Sequence, residues 1–351
     1  MSFIFFGALL LGFYMAWNIG ANDVANAMGT SVGSRALTLK KAVLIAAVLE
    51  FSGAFFAGSS VSETLQHGII APAIFEGNLE IFALGMMGSL FATGALLHIA
   101  SYFGLPISTT HAVVGAVIGF GSVVGGVEAI HWTQVGWISA AWVISPILSG
   151  FIAHLFFRLT QRVVSWIKVP VASEGISTPS PFHQFFISLQ IGTACMVAFA
   201  HGANDVANAI GPVAAILNVL KTHSLHAKSE IPSWLLALGG CGIVLGLATW
   251  GWRVIETVGK KITKLSPMHG FCAEFGAAIT ILAASKFGLP ISTTHALVGA
   301  VFGVGLVQGF SSLNLQTLKE IVLSWVITIP SCALLSILAF YLLRFFIGLI
   351  Q

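Results

Sequence analysis

Two short stretches, each written twice, hold the residues that could do chemistry. Gly20-Ala21-Asn22-Asp23-Val24-Ala25-Asn26-Ala27 returns as Gly202-Ala203-Asn204-Asp205-Val206-Ala207-Asn208-Ala209. Gly104-Leu105-Pro106-Ile107-Ser108-Thr109-Thr110-His111 returns, letter for letter, as Gly288 to His295. The second copies stand 182 and 184 residues after the first. Two motifs recurring in one order at nearly one offset point to an internal duplication. Each copy of the first motif puts an aspartate and two asparagines inside a run otherwise fit for lipid. An ionisable group there is expensive, and it marks a site.

On a helix Asn22 and Asn26 share a face, with Asp23 one position round. Asn204, Asp205 and Asn208 repeat the arrangement. Amide and carboxylate oxygens are hard ligands, suited to a small cation or a proton and not to a soft metal. Gly20 and Ala21 lower helical persistence, which predicts a break that frees backbone carbonyls as further ligands. The competing role is a polar clamp between helices. Duplication together with an aspartate favours the site.

In the second motif Pro106 fits a turn or the start of a helix, not a helix interior. Ser108, Thr109 and Thr110 are good N-cap residues. A helix should therefore begin here, at membrane depth, with open amides and the positive end of its dipole. Three adjacent hydroxyls add donors. The result is an anion site without a formal positive charge, made once at Ser108-Thr109-Thr110 and again at Ser292-Thr293-Thr294. Gly115 and Gly119, like Gly299 and Gly303, would let each short helix pack closely against a neighbour.

Together the motifs imply an anion and a cation held near the midplane. The carboxylates of Asp23 and Asp205 also choose between anions. A partly protonated phosphate can donate a hydrogen bond to them. Sulfate at neutral pH cannot, and it would meet a repelling acceptor.

Glu50 and Glu274 lie in other apolar runs. Each is a proton carrier, a cation ligand or a buried paired acid. They are not repeat equivalents: counted back from the second motif, Glu274 matches Leu90. His111 and His295 either fix the helix start or touch substrate. Arg35 sits near a membrane edge, where snorkelling is the default.

The elements that must position these residues are membrane spans. The chain has 351 residues, 57% hydrophobic and 8% charged, where a soluble protein carries about 25% charged residues. The apolar runs are long and unbroken, unlike the alternating strands of a barrel. The net charge of +3 and the lack of a basic cluster argue against nucleic acid. Four cysteines lie in apolar runs without metal-ligand spacing. The first run lacks a basic lead and contains the Asn-Asp motif, so it reads as a retained span.

Arg35, Lys40 and Lys41, then Arg158, Arg162 and Lys168, then Lys260, Lys261 and Lys264 form the basic loops, expected on the cytoplasmic side. Segments 63–80 and 122–133 lack Lys and Arg and should be external, with the N-terminus outside. The first half then crosses an odd number of times, and the second half runs upside down. The expected fold is an all-α polytopic membrane protein. It has two inverted-topology repeats with broken helices or re-entrant hairpins, a transporter's plan. Residues 1–160 would form the first transmembrane repeat, 161–183 a cytoplasmic linker, and 184–351 the second repeat.

These motifs resemble those of the inorganic phosphate transporter (PiT) family, sodium- or proton-coupled phosphate symporters. The resemblance rests on the Gly-Ala-Asn-Asp-Val-Ala-Asn stretch opening each half and on the later Pro-Ile-Ser-Thr-Thr-His. It spans the whole chain. It implies an inverted-repeat transporter, a homodimer, with phosphate between the halves. By that resemblance Asn22, Asp23, Ser108, Thr109, Thr110, Asn204, Asp205, Ser292, Thr293 and Thr294 bind phosphate. Asp23, Asn26, Asp205, Asn208, Glu50 and Glu274 serve the coupled cation. The Asn-Asp form of the first motif is similar to the sodium-coupled branch, which makes sodium the preferred co-transported ion; no other cofactor is implied. The short linker departs from eukaryotic relatives with a long cytoplasmic domain. It suits a bacterial or organellar form, in a cell (inner) membrane.

Rival readings are a proton-coupled phosphate or metal–phosphate symporter and, in a different class, an anion channel. An enzyme is disfavoured because no nucleophile is paired with a base and no Gly-x-x-x-x-Gly-Lys loop is present.

Overall fold

The computed structural model describes residues 2–67, 69–167, 181–224, 230–255, 266–309 and 315–348. Apart from one isolated bridge between Ile70 and Ile130, these residues form helices, turns and irregular connections. The first half contains α1 (Ser2–Gly33), α2 (Leu39–Ala57), α3 (Ser59–His67), α4 (Leu79–Tyr102), α5 (Thr109–Gly125) and α6 (Trp132–Trp166). The second contains α7 (Pro181–Thr222), α8 (Ser233–Thr249), α9 (Pro267–Lys286), α10 (Thr293–Gln308) and α11 (Leu315–Gly348).

Helices α1, α4, α6, α7, α9 and α11 are long and apolar enough to cross a membrane. The pair α2 and α3 adds a seventh candidate, bent by 66° at Gly58. Helices α5, α8 and α10 are shorter and apolar. A lipid-facing helix must satisfy its own backbone, which is why so apolar a chain is nearly all helix. Large apolar side chains such as Leu44, Phe56, Phe151 and Leu338 point outward. The chain is an all-α, multi-pass membrane protein.

The break expected at Gly20-Ala21 does not occur. Helix α1 runs through it without interruption, and α7 runs through Gly202-Ala203. The glycines have another use. A Cβ on Gly20 would strike the backbone carbonyl of Ile243 in α8, and one on Gly202 the carbonyl of Glu50 in α2. Gly246 meets Trp17, and Gly53 meets Phe199, in the same way. These glycines let two helix backbones touch. Because the helix continues, its carbonyls stay in its own ladder and are not freed as ligands. The matched contacts recur at constant shifts: 182 residues from α1 to α7, 193 from α2 to α8.

Both short helices begin where the hydroxyl motifs stand. Ser108 caps α5 and Ser292 caps α10; each hydroxyl accepts from the amide three residues on, at 3.3 Å. Gly104 and Gly288, with φ of 65° and 66°, turn the chain out of α4 and α9. Gly115 and Gly119 lie against the backbone of Ile329 and Ala333 in α11, and Gly299 and Gly303 against Pro146 and Gly150 in α6. Two three-helix groups result: α4, α5 and α11, and α6, α9 and α10. Each combines helices from both halves of the sequence. Helices α1 and α7 pack against each other and against these groups. Helix α6 extends to Trp166, into the expected linker, and α7 starts at Pro181. Lys168 and the lysines at 260, 261 and 264 lie outside the described residues.

Candidate ion and substrate site

The middle of α1 carries Asn22, Asp23 and Asn26, and the middle of α7 carries Asn204, Asp205 and Asn208; all six are buried. The starts of α5 and α10 face them. Thr109 Oγ1 donates to Asp23 Oδ2. Thr293 Oγ1 donates to Asp205 Oδ2 at 2.9 Å. Each carboxylate therefore meets a threonine from its own half of the sequence.

The asparagines reach across. Asn26 Nδ2 donates to Thr294 Oγ1 at 2.8 Å, with Thr293 Oγ1 at 3.4 Å, and also to Asp23 Oδ1 at 3.1 Å. Asn208 Nδ2 donates to Thr110 Oγ1 at 3.5 Å, and Thr110 Oγ1 donates to the carbonyl of Ile291 at 2.9 Å. Asn22 holds the Pro106 turn: its Nδ2 donates to Ser101 Oγ at 3.1 Å and the Leu105 carbonyl at 3.0 Å. The Asn204 amide sits 3.2 Å from Ser285 Oγ, with its nitrogen facing Asp205 Oδ1 at 3.1 Å and the Ile291 carbonyl at 3.0 Å; we assign that orientation because it gives the nitrogen acceptors. The motifs thus assemble into one cluster from four helices.

Asp23, Asp205 and a residue without a role in the sequence reading, His201, each offer a ligand atom within 4.8 Å of the other two. His201 is fully buried. Its Nε2 lies 2.8 Å from Asp205 Oδ2 and its Nδ1 3.2 Å from Glu50 Oε1. These contacts are close but off the line of the ring N–H bonds, so they act through charge more than direction. Glu50 therefore reaches the centre through His201. One signal could have found His201: it precedes Asp205 by one helical turn, on the same face. The first copy hides it, because Ile19 stands at the matching position.

Glu274 lies elsewhere, in a nest of its own. Its Oε1 accepts from Thr30 Oγ1 at 2.6 Å, Ser31 Oγ at 2.7 Å and Gln190 Nε2 at 3.1 Å. Its Oε2 accepts from Thr193 Oγ1 at 2.7 Å. Four donors on a fully buried carboxylate satisfy it as an anion. The nest joins α1, α7 and α9, and sequence reasoning missed its four donors. Its matched positions in the other half are Leu90, Pro212, Val213, Ala8 and Leu11, all apolar. The Glu50–His201 pair is likewise matched by Ile243 and Ile19. The central hydroxyls, aspartates and asparagines are duplicated; these two acidic clusters exist once each.

The imidazole rings of His111 and His295 make no hydrogen bond to the central cluster; only their backbone amides do, at the caps of α5 and α10. Each Nδ1 points instead at a tryptophan carbonyl, Trp325 for His111 at 3.3 Å and Trp142 for His295 at 3.2 Å. Arg35 is exposed and takes a left-handed backbone, φ 64°, just past the end of α1.

The model of the phosphate transporter family matches residues 19–336. The chain is 42% identical to inorganic phosphate transporter 2-1, chloroplastic, of Arabidopsis thaliana, over 95% of this chain and 71% of that protein. It is similar to a solved structure of "the sodium-dependent phosphate transporter", with a TM-score of 0.89 and 37% identity, covering 98% of this chain and all of the other. A match this long, carrying both copies of both motifs, makes the chain a member of the phosphate transporter family.

Proposed function

We propose that this protein is a secondary active transporter that imports inorganic phosphate together with sodium. One observation carries the reading: Asp23 and Asp205, from opposite halves, lie within 4.8 Å of each other, each with a threonine hydroxyl from the start of a short helix. Two buried carboxylates so close repel by about 3.5 kcal/mol or more at an effective dielectric of 20. His201 offsets part of that, and a bound cation would offset the rest. Hard oxygen donors from Asp23, Asn26, Asp205 and Asn208 suit sodium.

The starts of α5 and α10 supply open amides for an anion, at Ser108-Thr109-Thr110 and Ser292-Thr293-Thr294. Asn22 and Asn204 hold the turns that lead into them. A phosphate bound there would use its remaining proton to donate to a carboxylate, which sulfate cannot do. Glu274 would take up a cation by giving up some of its four donors, since hydroxyl and carboxylate oxygens are also hard ligands. Glu50 acts through His201.

In this reading the two sequence halves, 1–160 and 184–351, are inverted repeats joined by a cytoplasmic linker. The N-terminus is outside, and the protein works as a homodimer in a cell (inner) membrane. It is a transporter and not an enzyme. The test is phosphate uptake into proteoliposomes with sodium replaced by choline at fixed pH. Uptake that collapses without sodium supports the proposal. Full retention that follows an imposed proton gradient would replace sodium with a proton, and flux that never rises above the equilibrium ratio would indicate an anion channel.

A further inference from the structure

Behind the hydroxyl motifs, four rings meet where the two three-helix groups touch. His111 of α5 lies 3.9 Å, centroid to centroid, from Trp142 of α6, and His295 of α10 lies 3.5 Å from Trp325 of α11. The two imidazoles meet edge to face at 4.5 Å. All three ring contacts cross between the groups. Both hydrogen bonds stay within a group: His111 to the Trp325 carbonyl in one, His295 to the Trp142 carbonyl in the other.

The tautomers follow. A carbonyl only accepts, so each Nδ1 carries a proton, and each neutral ring leaves Nε2 as a bare acceptor. Both Nε2 atoms are buried and unpartnered, and so are the indole Nε1–H groups of Trp142 and Trp325. One small cluster thus holds two orphan acceptors and two orphan donors. Orphaned polar groups of this kind call for an explanation in a second state or a function. Here the numbers of donors and acceptors match.

We infer that the His111–Trp142 and His295–Trp325 rings form a two-state clasp between the three-helix groups. In the present state the His295–Trp325 rings stack, 28° from parallel, and the His111–Trp142 rings meet tilted by 42°. In the other state the groups have shifted, and each indole N–H donates to an imidazole Nε2. Ring contacts of this kind can slide without breaking a directional bond, while the bonds that hold each histidine move with its own group. The adjoining residues Thr110 and Thr294 belong to the central cluster, so the shift is linked to the substrate site. This inference rests on the transport reading for its purpose, but its structural content does not.

The test uses Trp142→Phe with Trp325→Phe, which keeps the rings and removes only the N–H donors. Ultraviolet resonance Raman difference spectra between unaltered and doubly substituted protein isolate the two indoles. The band sensitive to indole hydrogen bonding should shift when sodium and inorganic phosphate are added to the unaltered protein. Phosphate turnover by the variant should fall about tenfold, as expected for losing hydrogen bonds from one of two states. An indole band unmoved by sodium and phosphate, or variant turnover equal to that of the unaltered protein, overturns the clasp. Absence of phosphate uptake by the unaltered protein would count against the transport reading instead; the Raman shift would still decide the clasp.

Discussion

Ile19 holds in the first half the position that His201 holds in the second. Both are fully buried one residue before a glycine that touches a neighbouring backbone. The neighbours match too, Ile243 for one and Glu50 for the other. One crossing is therefore apolar and its counterpart is an ion pair. That substitution is a natural guide to what the pair contributes. His201→Ile alone should cost about 3–5 kcal/mol, because it strands Glu50, a buried carboxylate that has His201 beside it and no hydrogen bond among the described residues. Glu50→Ile with His201→Ile, which copies the other half, should recover much of that loss. Thermal unfolding in detergent measures both, and a double variant no more stable than the single one would refute the comparison.

Asp23 should be indispensable for coupling and dispensable for folding. Its carboxylate has Thr109 and Asn26 as donors, and an amide at the same place keeps the size and one acceptor. Asp23→Asn should lower sodium-driven phosphate uptake by about tenfold or more, the consequence of losing 1.4 kcal/mol of cation affinity. Elution as a single folded species should be unchanged. Uptake at the normal rate in this variant would remove Asp23 from the site.

What could be read in the sequence, and what could not, divides along physical lines. The helix starts at Ser108 and Ser292 were legible because capping is local. The close approaches at Gly115, Gly119, Gly299 and Gly303 were legible because their spacing of four lies on one helix face. The glycine at position 20 was misread, because a glycine that loosens a helix and one that admits a neighbour look alike until the neighbour is known. His201 was hidden by attention to what the two copies share, since it belongs to what they do not. The nest around Glu274 draws on Thr30, Ser31, Gln190 and Thr193, 81 to 244 residues away. No local pattern brings such donors together.

Ser292 offers a way to separate capping from substrate contact. Its hydroxyl accepts from the His295 amide, which is cap geometry. An N-cap serine changed to alanine costs about 1 kcal/mol, while glycine costs only a few tenths. Ser292→Gly should therefore be clearly more stable than Ser292→Ala, with phosphate KM little altered in either. If both substitutions raise phosphate KM equally, the hydroxyl contacts substrate and the cap is secondary.

Gly299 tests whether the short helices depend on backbone contact. A Cβ there would collide with the carbonyl of Pro146, an atom fixed in the interior of α6 that cannot rotate aside. Gly136, in the same α6, has open space around its own Cβ position. Overpacking costs about 1–3 kcal/mol where side chains can adjust, and more where backbone must move. An exposed glycine within a helix gains about 0.5–1 kcal/mol on becoming alanine. Gly299→Ala should thus lower the midpoint of thermal unfolding while Gly136→Ala leaves it level or raises it. The displacement of α10 should also reach the central cluster, because Thr293 and Thr294 form its first turn, so phosphate uptake should fall with stability only in the Gly299 variant. Equal midpoints for the two variants would mean that α10 can back away from α6 without loss, and the close crossing would not be what holds the hydroxyls opposite Asp205 and Asn26.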